Sequence, residues 1–346
     1  MPVRFLSRLS HTQAVFLMIA VTLMWSIAGV VSRQLEAATR FEVTFWRSAF
    51  TALSLLVILP FWRAADRAAG LMPPGRRPEG PLERHWGLLL QSRTFWVSGA
   101  CWATMFTAFM LALTFTSVAN VLVVMSAGPL FTALLARILI GQQLPLRTWT
   151  AIISAGLGIV YMYGSQMWTA FTDPAVSASG LLLGSLCALC VPVAGAVNWT
   201  AVQRSQQHGE PIDLVPAVLL GALLSALGTL TLAVPFAATR IDIAWLAMLG
   251  LVQLAIPCAL AVVCARALKA PEVSLLALLE VIFGIVWAWL WANEAPGQEV
   301  LLGGGVVIGA LLVNELLGWR ARQAAPRIQT LSARPPPADI QPEERT

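Results

Sequence analysis

Ten stretches of the chain carry apolar residues almost without interruption, each bounded by charges or turn residues: 13–32, 41–61, 94–115, 118–139, 146–163, 179–202, 211–236, 244–265, 272–292 and 297–319. A surface helix of a water-soluble protein pairs an apolar stripe with a polar face. These stretches have no polar face. A helix needs about 20 residues to cross the roughly 30 Å hydrocarbon layer of a bilayer, and each stretch is of that order. The pattern therefore predicts an all-α polytopic membrane protein of about ten transmembrane helices. The third and fourth stretches meet across only Thr116 and Ser117, so their separation rests on that pair. The segment 62–93 interrupts the pattern with Pro73-Pro74-Gly75-Arg76-Arg77-Pro78, which is surface-loop chemistry. Residues 1–12 read as a short tail. Residues 320–346, with Pro335-Pro336-Pro337, read as a disordered one.

Composition removes the soluble alternative. The chain is 58% hydrophobic and 11% charged, whereas soluble domains carry about a quarter charged residues. The first apolar stretch is long enough to span and lacks a small-residue cleavage site, so it reads as the first helix rather than a signal peptide. Lysine and arginine are retained on the cytoplasmic side of membrane proteins. With the N-terminus placed there, 18 of the 22 Lys and Arg share that side, Arg33, Arg40 and Arg240 lie opposite, and Arg47 stays inside a span. The expectation is a bacterial-type inner (cytoplasmic) membrane protein with both termini cytoplasmic. The net charge of +5 then answers to anionic headgroups, with no nucleic-acid partner. All five cysteines fall in apolar runs. Cys187 and Cys190 form a C-x-x-C spacing, but no second ligand pair or histidine accompanies it, so they read as small hydrophobes, with no metal and no cofactor expected. The sequon Asn198-Trp199-Thr200 lies within a span, out of reach of glycosylation.

The halves share punctuation. Helix 4 ends in Pro129-Leu-Phe-Thr-Ala-Leu-Leu-Ala-Arg137 and runs into Gly141-Gln142-Gln143, and helix 9 ends in Trp287-Ala-Trp-Leu-Trp-Ala292 and runs into Asn293-Glu294. A glycine-rich helix follows each, with Ser154, Gly156 and Gly158 in one and Gly303, Gly304, Gly305 and Gly309 in the other. Small residues at this spacing let backbones approach in lipid, either within the bundle or across a homodimer. Two homologous units of five helices, 13–163 and 179–319, must insert with opposite topology, the arrangement of inverted-repeat carriers.

The segments Ala112–Phe131 and Ala265–Glu280 resemble the two repeats of the drug/metabolite transporter superfamily, EamA-type branch, and the resemblance spans almost the whole membrane region. Trp25, Phe45-Trp46-Arg47 and the Asn293-Glu294 turn add to it. The chain departs from that pattern in having Gln142-Gln143 where the family usually has Glu, and Val281 after Glu280 where Pro is common. The resemblance implies a secondary active transporter working by alternating access, an exporter of small metabolites, amino acids or drugs. No phosphate-binding G-x-x-x-x-G-K-[ST] loop, H-E-x-x-H or G-x-S-x-G is present, and the histidines sit at or outside span ends, so neither a self-contained ATP-driven pump nor an enzyme is expected. A channel or lipid-handling scaffold is the other reading.

Ionisable groups inside a span are costly and mark candidate function. Glu280 lies about eight residues into helix 9 and shares a face with Gly284, Trp287, Trp291 and Glu294. That face is expected to point inward, with Glu280 as the proton-coupling candidate. Arg47 has two readings, a guanidinium snorkelling to the interface beside a structural partner, or a bidentate contact for a carboxylate. Pro129, Pro192, Pro216 and Pro257 interrupt spans and are candidate hinges. Trp25, Arg47, Asn120, Met125, Pro129, Asn198, Gln253, Pro257 and Trp287 make up the expected pathway, an aromatic-lined pocket with sparse polar handles for a small-molecule substrate.

Overall fold

A computed structural model describes residues 9–68, 89–141, 143, 145–172, 178–207, 214–291 and 297–324. The expectations for 1–8, for most of the 62–93 loop, for Gln142, for Asn293-Glu294 and for the tail beyond 324 lie outside them. Everything ordered among the described residues is helical. Ten rods follow in order: α1 (His11–Ser26 with Ala28–Ser32), α2 (Arg40–Ala68), α3 (Arg93–Phe115), α4 (Val118–Met125 with Gly128–Ile140) and α5 (Leu146–Thr172). Then come α6 (Ala178–Gln207), α7 (Val215–Ala233), α8 (Arg240–Cys264), α9 (Ala270–Leu276 with Leu278–Trp291) and α10 (Gln298–Ala324). Among the described residues, nine are long and apolar enough to cross a membrane. The remaining one, α5, is 27 residues long, about 40 Å at 1.5 Å per residue. The outward faces are apolar, with Phe16 68% and Leu227 65% exposed. A surface of that kind is stable against lipid tails and not against water.

The rods start and stop for local reasons. The Ser10 hydroxyl accepts from Gln13 N while the Gln13 side chain accepts from Ser10 N, a capping box that opens α1. Thr116 and Ser117 are both extended, and the Ser117 side chain accepts from Asn120 N, so α3 ends and α4 begins across two residues. Gly141, at φ 70°, closes α4 in the left-handed conformation that suits glycine.

The packing carries the two-fold relation between the halves. The pairs α2 with α7, α4 with α9 and α5 with α10 are in contact, and each joins equivalent helices of the two repeats. The others come in matching sets: α3 on α6 with α8 on α1, α3 on α7 with α8 on α2, and α4 on α6 with α9 on α1. Adding five to a helix number exchanges the members of each of these sets, while the α6–α9 contact has no counterpart of similar extent between α1 and α4. The glycine-rich helices meet within the bundle, where a Cβ on Gly158 would lie 2.8 Å from the Gly303 carbonyl oxygen, while Gly156, Gly305 and Gly309 face open space.

Two apolar clusters fill the ends. At the end carrying the N-terminus, Met18, Leu55, Phe95, Leu214, Val215 and Val273 pack together. At the other, Val31, Val43, Leu113, Val121, Leu122 and Leu246 do so.

Candidate functional site

Several rods lose regular helical geometry between those clusters. α1 breaks at Ile27, α4 at Ser126-Ala127 and α9 at Ala277. α8 widens into a π-helical turn over Leu249–Ala255. The proline after that turn, Pro257, has no N–H to give to Gln253 O, and its ring would crowd that carbonyl in a regular helix. A π turn relieves the crowding and re-aims the side chains within it. The breaks in α4 and α9 fall in equivalent helices of the two repeats.

A cavity of about 130 Å³ opens at this level, lined from α1, α2, α3, α4, α6, α8 and α9. Trp25, Trp102, Phe106, Phe109 and Trp199 supply its aromatic wall, with Trp102 and Trp199 edge to face at 5.7 Å. Arg47 and Glu280 are the two residues of opposite formal charge among the lining residues. Arg47 is 1% exposed. Its Nη2 donates to the Phe106 carbonyl oxygen at 2.7 Å and its Nη1 to Gln253 Oε1 at 3.3 Å. Gln253 in turn donates from Nε2 to the Trp25 carbonyl oxygen at 3.3 Å, beside the α1 break. One chain of hydrogen bonds thus ties α2, α3, α8 and α1 around the cavity. Thr51 adds to it by donating to Arg47 O or Gly250 O, at 2.8 and 3.2 Å. The guanidinium therefore does not snorkel. Its acceptors are interior ones, the π-turn amide and a helical carbonyl with a spare lone pair.

Glu280 sits in the first turn of Leu278–Trp291 and is buried. Its carboxyl forms no hydrogen bond to a described residue and no ion pair with Arg47. Thr132 and Ser274, on the equivalent helices α4 and α9, share a hydrogen bond at 2.7 Å in the cavity wall.

Of the sequence-derived pathway, the cavity brings together Trp25, Arg47, Met125, Gln253 and Glu280. Asn120 stands apart, with Nδ2 on Thr116 Oγ1 at 3.0 Å in the α3–α4 corner. Asn198 accepts from Ser98 Oγ at 2.6 Å between α6 and α3. Pro129 and Pro257 are buried next to the lining residues Gly128 and Cys258 and shape the breaks instead of touching the space. Trp287 donates from Nε1 to Ser26 Oγ at 3.0 Å, holding α9 on α1. The inward face of α9 is shorter than its spacing implies. A Cβ on Gly284 would meet Leu122 Cδ1 at 2.5 Å, which marks the close crossing, and Trp291 beyond it is 59% exposed. Glu294 lies outside the described residues. Of the four prolines read as hinges, Pro192 lies inside α6 and lines the cavity, whereas Pro216 opens α7 in the first turn, where its missing N–H costs nothing. The residues that sequence reasoning missed are Trp102, Trp199, Thr132 and Ser274. Trp102 and Thr132 carried a signal in their depth, well inside their spans and away from the interface, whereas Trp199 and Ser274 lie near the ends of the spans 179–202 and 272–292 and carried none.

A family model, the EamA-like transporter family, matches residues 12–164 and 182–315. No curated protein matches the chain. Among solved structures 22 chains match. One of them, titled only "Crystal structure of protein", superposes with a TM-score of 0.61 at 18% identity, covering 90% of this chain and 100% of its own. At that identity the likeness speaks for the fold.

Proposed function

We propose a function from this premise: the chain belongs to the EamA-like transporter family, and its cavity is the substrate site of a secondary active exporter. The observation that carries the reading is a chamber with buried Arg47 and Glu280, flanked on both sides by packed apolar clusters. A solute held there needs one cluster to part before it can leave. In a two-fold related bundle, parting one side while the other closes requires only that the repeats rock about the chamber. The half-helices of α4 and α9 adjoin the chamber and meet it at their breaks, which suits them to flex there.

The orientation in this reading follows the arginines, with both termini cytoplasmic in a bacterial-type inner membrane. Solute enters from the cytoplasm and leaves on the other side. The Glu280 carboxyl has no hydrogen bond or ion pair among the described residues, so in this reading it is the group that exchanges a proton against the solute and couples export to the proton gradient. The test is flux in proteoliposomes holding the purified full chain, with imposed pH gradients and a panel of amino acids, purines and lipophilic cations. The reading expects saturable flux that follows the gradient, and a loss of gradient dependence in Glu280→Gln. Flux that rises linearly with concentration and ignores the gradient overturns it in favour of a channel.

A further inference from the structure

We infer that the corner where α4 meets α5, with the end of α10 beside it, binds an anionic phospholipid. Its phosphodiester sits on Arg137, Arg147 and Arg320 and its acyl chains lie along the apolar faces of the same helices. The inference is independent of the cavity and goes beyond the transport reading. Arg137 stands in the last turn of α4 and is exposed, its guanidinium carbon 5.7 Å from the centre of the Trp149 ring. Arg147 reaches across to α10, where its Nη1 donates to Leu317 O at 3.2 Å. It passes over Gly318, at which an added Cβ would stand 3.4 Å from its Nη2. Arg320 follows on α10, less than a helical turn beyond Leu317, and is exposed. Arg147 is thereby the middle member of the group, two residues before the ring that carries Arg137 and bonded to the turn that carries Arg320.

These charges have no anion of their own. None of the three guanidiniums is ion-paired to a described carboxylate. The segments 137–150 and 311–324 hold four arginines and a single acid, Glu315. Arg147 also stands in the first turn of α5, with no acid beside it. That is the positive end of the helix dipole, where a cation weakens the helix and an anion strengthens it. The bond to Leu317 O engages one of the five N–H groups of its guanidinium, and the rest are open to phosphate oxygens. The fold itself does not call for cations at such a corner, since residues 288–301 of the second repeat have neither lysine nor arginine and carry Glu294 and Glu299. Retention of arginines on the cytoplasmic side accounts for the face on which they lie. It does not account for an indole ring and a helix carbonyl that hold two of them in place.

The apolar neighbours decide the occupant. Ile138, Leu139, Leu146, Leu316 and Leu317 are exposed around the arginines. A free phosphate ion would meet the charges and leave that surface uncovered. An anionic phospholipid meets both, as basic clusters between transmembrane helices on the cytoplasmic side take acidic headgroups. The headgroup then ties the end of α4 to the α5–α10 pair. Gly128 and Thr132 of the same half-helix line the cavity, so the lipid steadies one wall of it from outside.

The experiment uses the purified full chain, delipidated in neutral detergent. Native mass spectrometry and the melting temperature are followed as dioleoylphosphatidylglycerol, dioleoylphosphatidylcholine or inorganic phosphate is added. Phosphatidylglycerol is expected to bind at least about fivefold more tightly than phosphatidylcholine and to raise the melting temperature, which phosphate leaves unchanged. Arg137→Gln, Arg147→Gln and Arg320→Gln should each weaken phosphatidylglycerol binding by about fivefold. Arg93→Gln, at the exposed start of α3, should not. Equal binding of the two lipids overturns the inference. So does a loss in Arg93→Gln as large as in the other three, which would make the attraction a diffuse surface charge. Phosphate that raises the melting temperature as far as the lipid does, and fails to in Arg147→Gln, assigns the corner to a free anion and overturns the lipid. Should Arg147→Gln fail to fold, Arg137→Gln and Arg320→Gln, at exposed side chains, decide alone.

Discussion

Arg47 shows how a residue's role changes when its partners become visible. From the sequence it was one guanidinium within a span, with an interface nearby to escape to. In the fold it is drawn inward by two acceptors that no local pattern announces, a glutamine in a π turn 206 positions away and a helical carbonyl 59 positions away. Lysine keeps the charge but cannot reach both acceptors and a ligand with one planar fork. Arg47→Lys is therefore expected to weaken binding of a carboxylate-bearing solute by about ten- to a hundredfold, the worth of one charge-assisted hydrogen bond, measured by calorimetry. Unchanged affinity would remove Arg47 from the binding site. Glu280 was legible because a carboxylate at that depth has few excuses, and so was Trp25. Asn120, Asn198 and Trp287 also carry polar groups within spans, yet Asn120 Nδ2, Asn198 Oδ1 and Trp287 Nε1 are bonded to Thr116, Ser98 and Ser26. Depth and polarity alone do not distinguish a group held for the cavity from one already bonded.

Between elements, two buried carboxylates tie the loop before α2 to the loop before α8. Glu42, in the first turn of α2, accepts from Ala237 N and Ala238 N at 2.9 Å each. Asp242, in the first turn of α8, accepts from Glu36 N at 2.9 Å and Ala37 N at 3.2 Å. Each also bonds the loop that opens its own helix, through Thr39 N and Thr239 N. The crossed caps make α2 and α8 one unit at that end. Asp242→Ala leaves the part-buried peptide N–H groups of Glu36, Ala37 and Thr239 without this acceptor, each worth up to about 1–3 kcal/mol, so a drop in melting temperature in detergent is expected. An unchanged melting temperature would show that water satisfies these groups. The helix surfaces make a second demand at Gly221 of α7, where an added Cβ would stand 2.3 Å from Trp102 Cβ. Gly221→Ala should destabilise by about 1–3 kcal/mol through overpacking and disturb the aromatic wall, visible as lower thermal stability together with weaker ligand binding. The helices themselves were legible from the apolar runs, to within about five residues at most ends, while α2 and α5 run on to Ala68 and Thr172 beyond the expected 61 and 163. Their breaks were not, apart from the prolines beside them, because a π turn or a one-residue interruption leaves mean hydropathy unchanged.

For the whole molecule, the five-plus-five plan was readable from odd repeat length and shared punctuation, and most of the main helix contacts follow it. Orientation across the membrane is carried by the arginines, and it predicts that reporters fused to either end of the chain are active in the cytoplasm. An active reporter at only one end would break the even count of crossings. Alternation of access is the central claim, and Cys258 in the cavity wall offers a native probe. With Cys101, Cys187, Cys190 and Cys264 replaced by alanine, a membrane-impermeant thiol reagent is applied to either face of sealed vesicles under opposed pH gradients. Labelling of Cys258 from one face should fall as labelling from the other rises when the gradient is reversed. Labelling from both faces that ignores the gradient, or from one face only under every condition, would contradict alternating access.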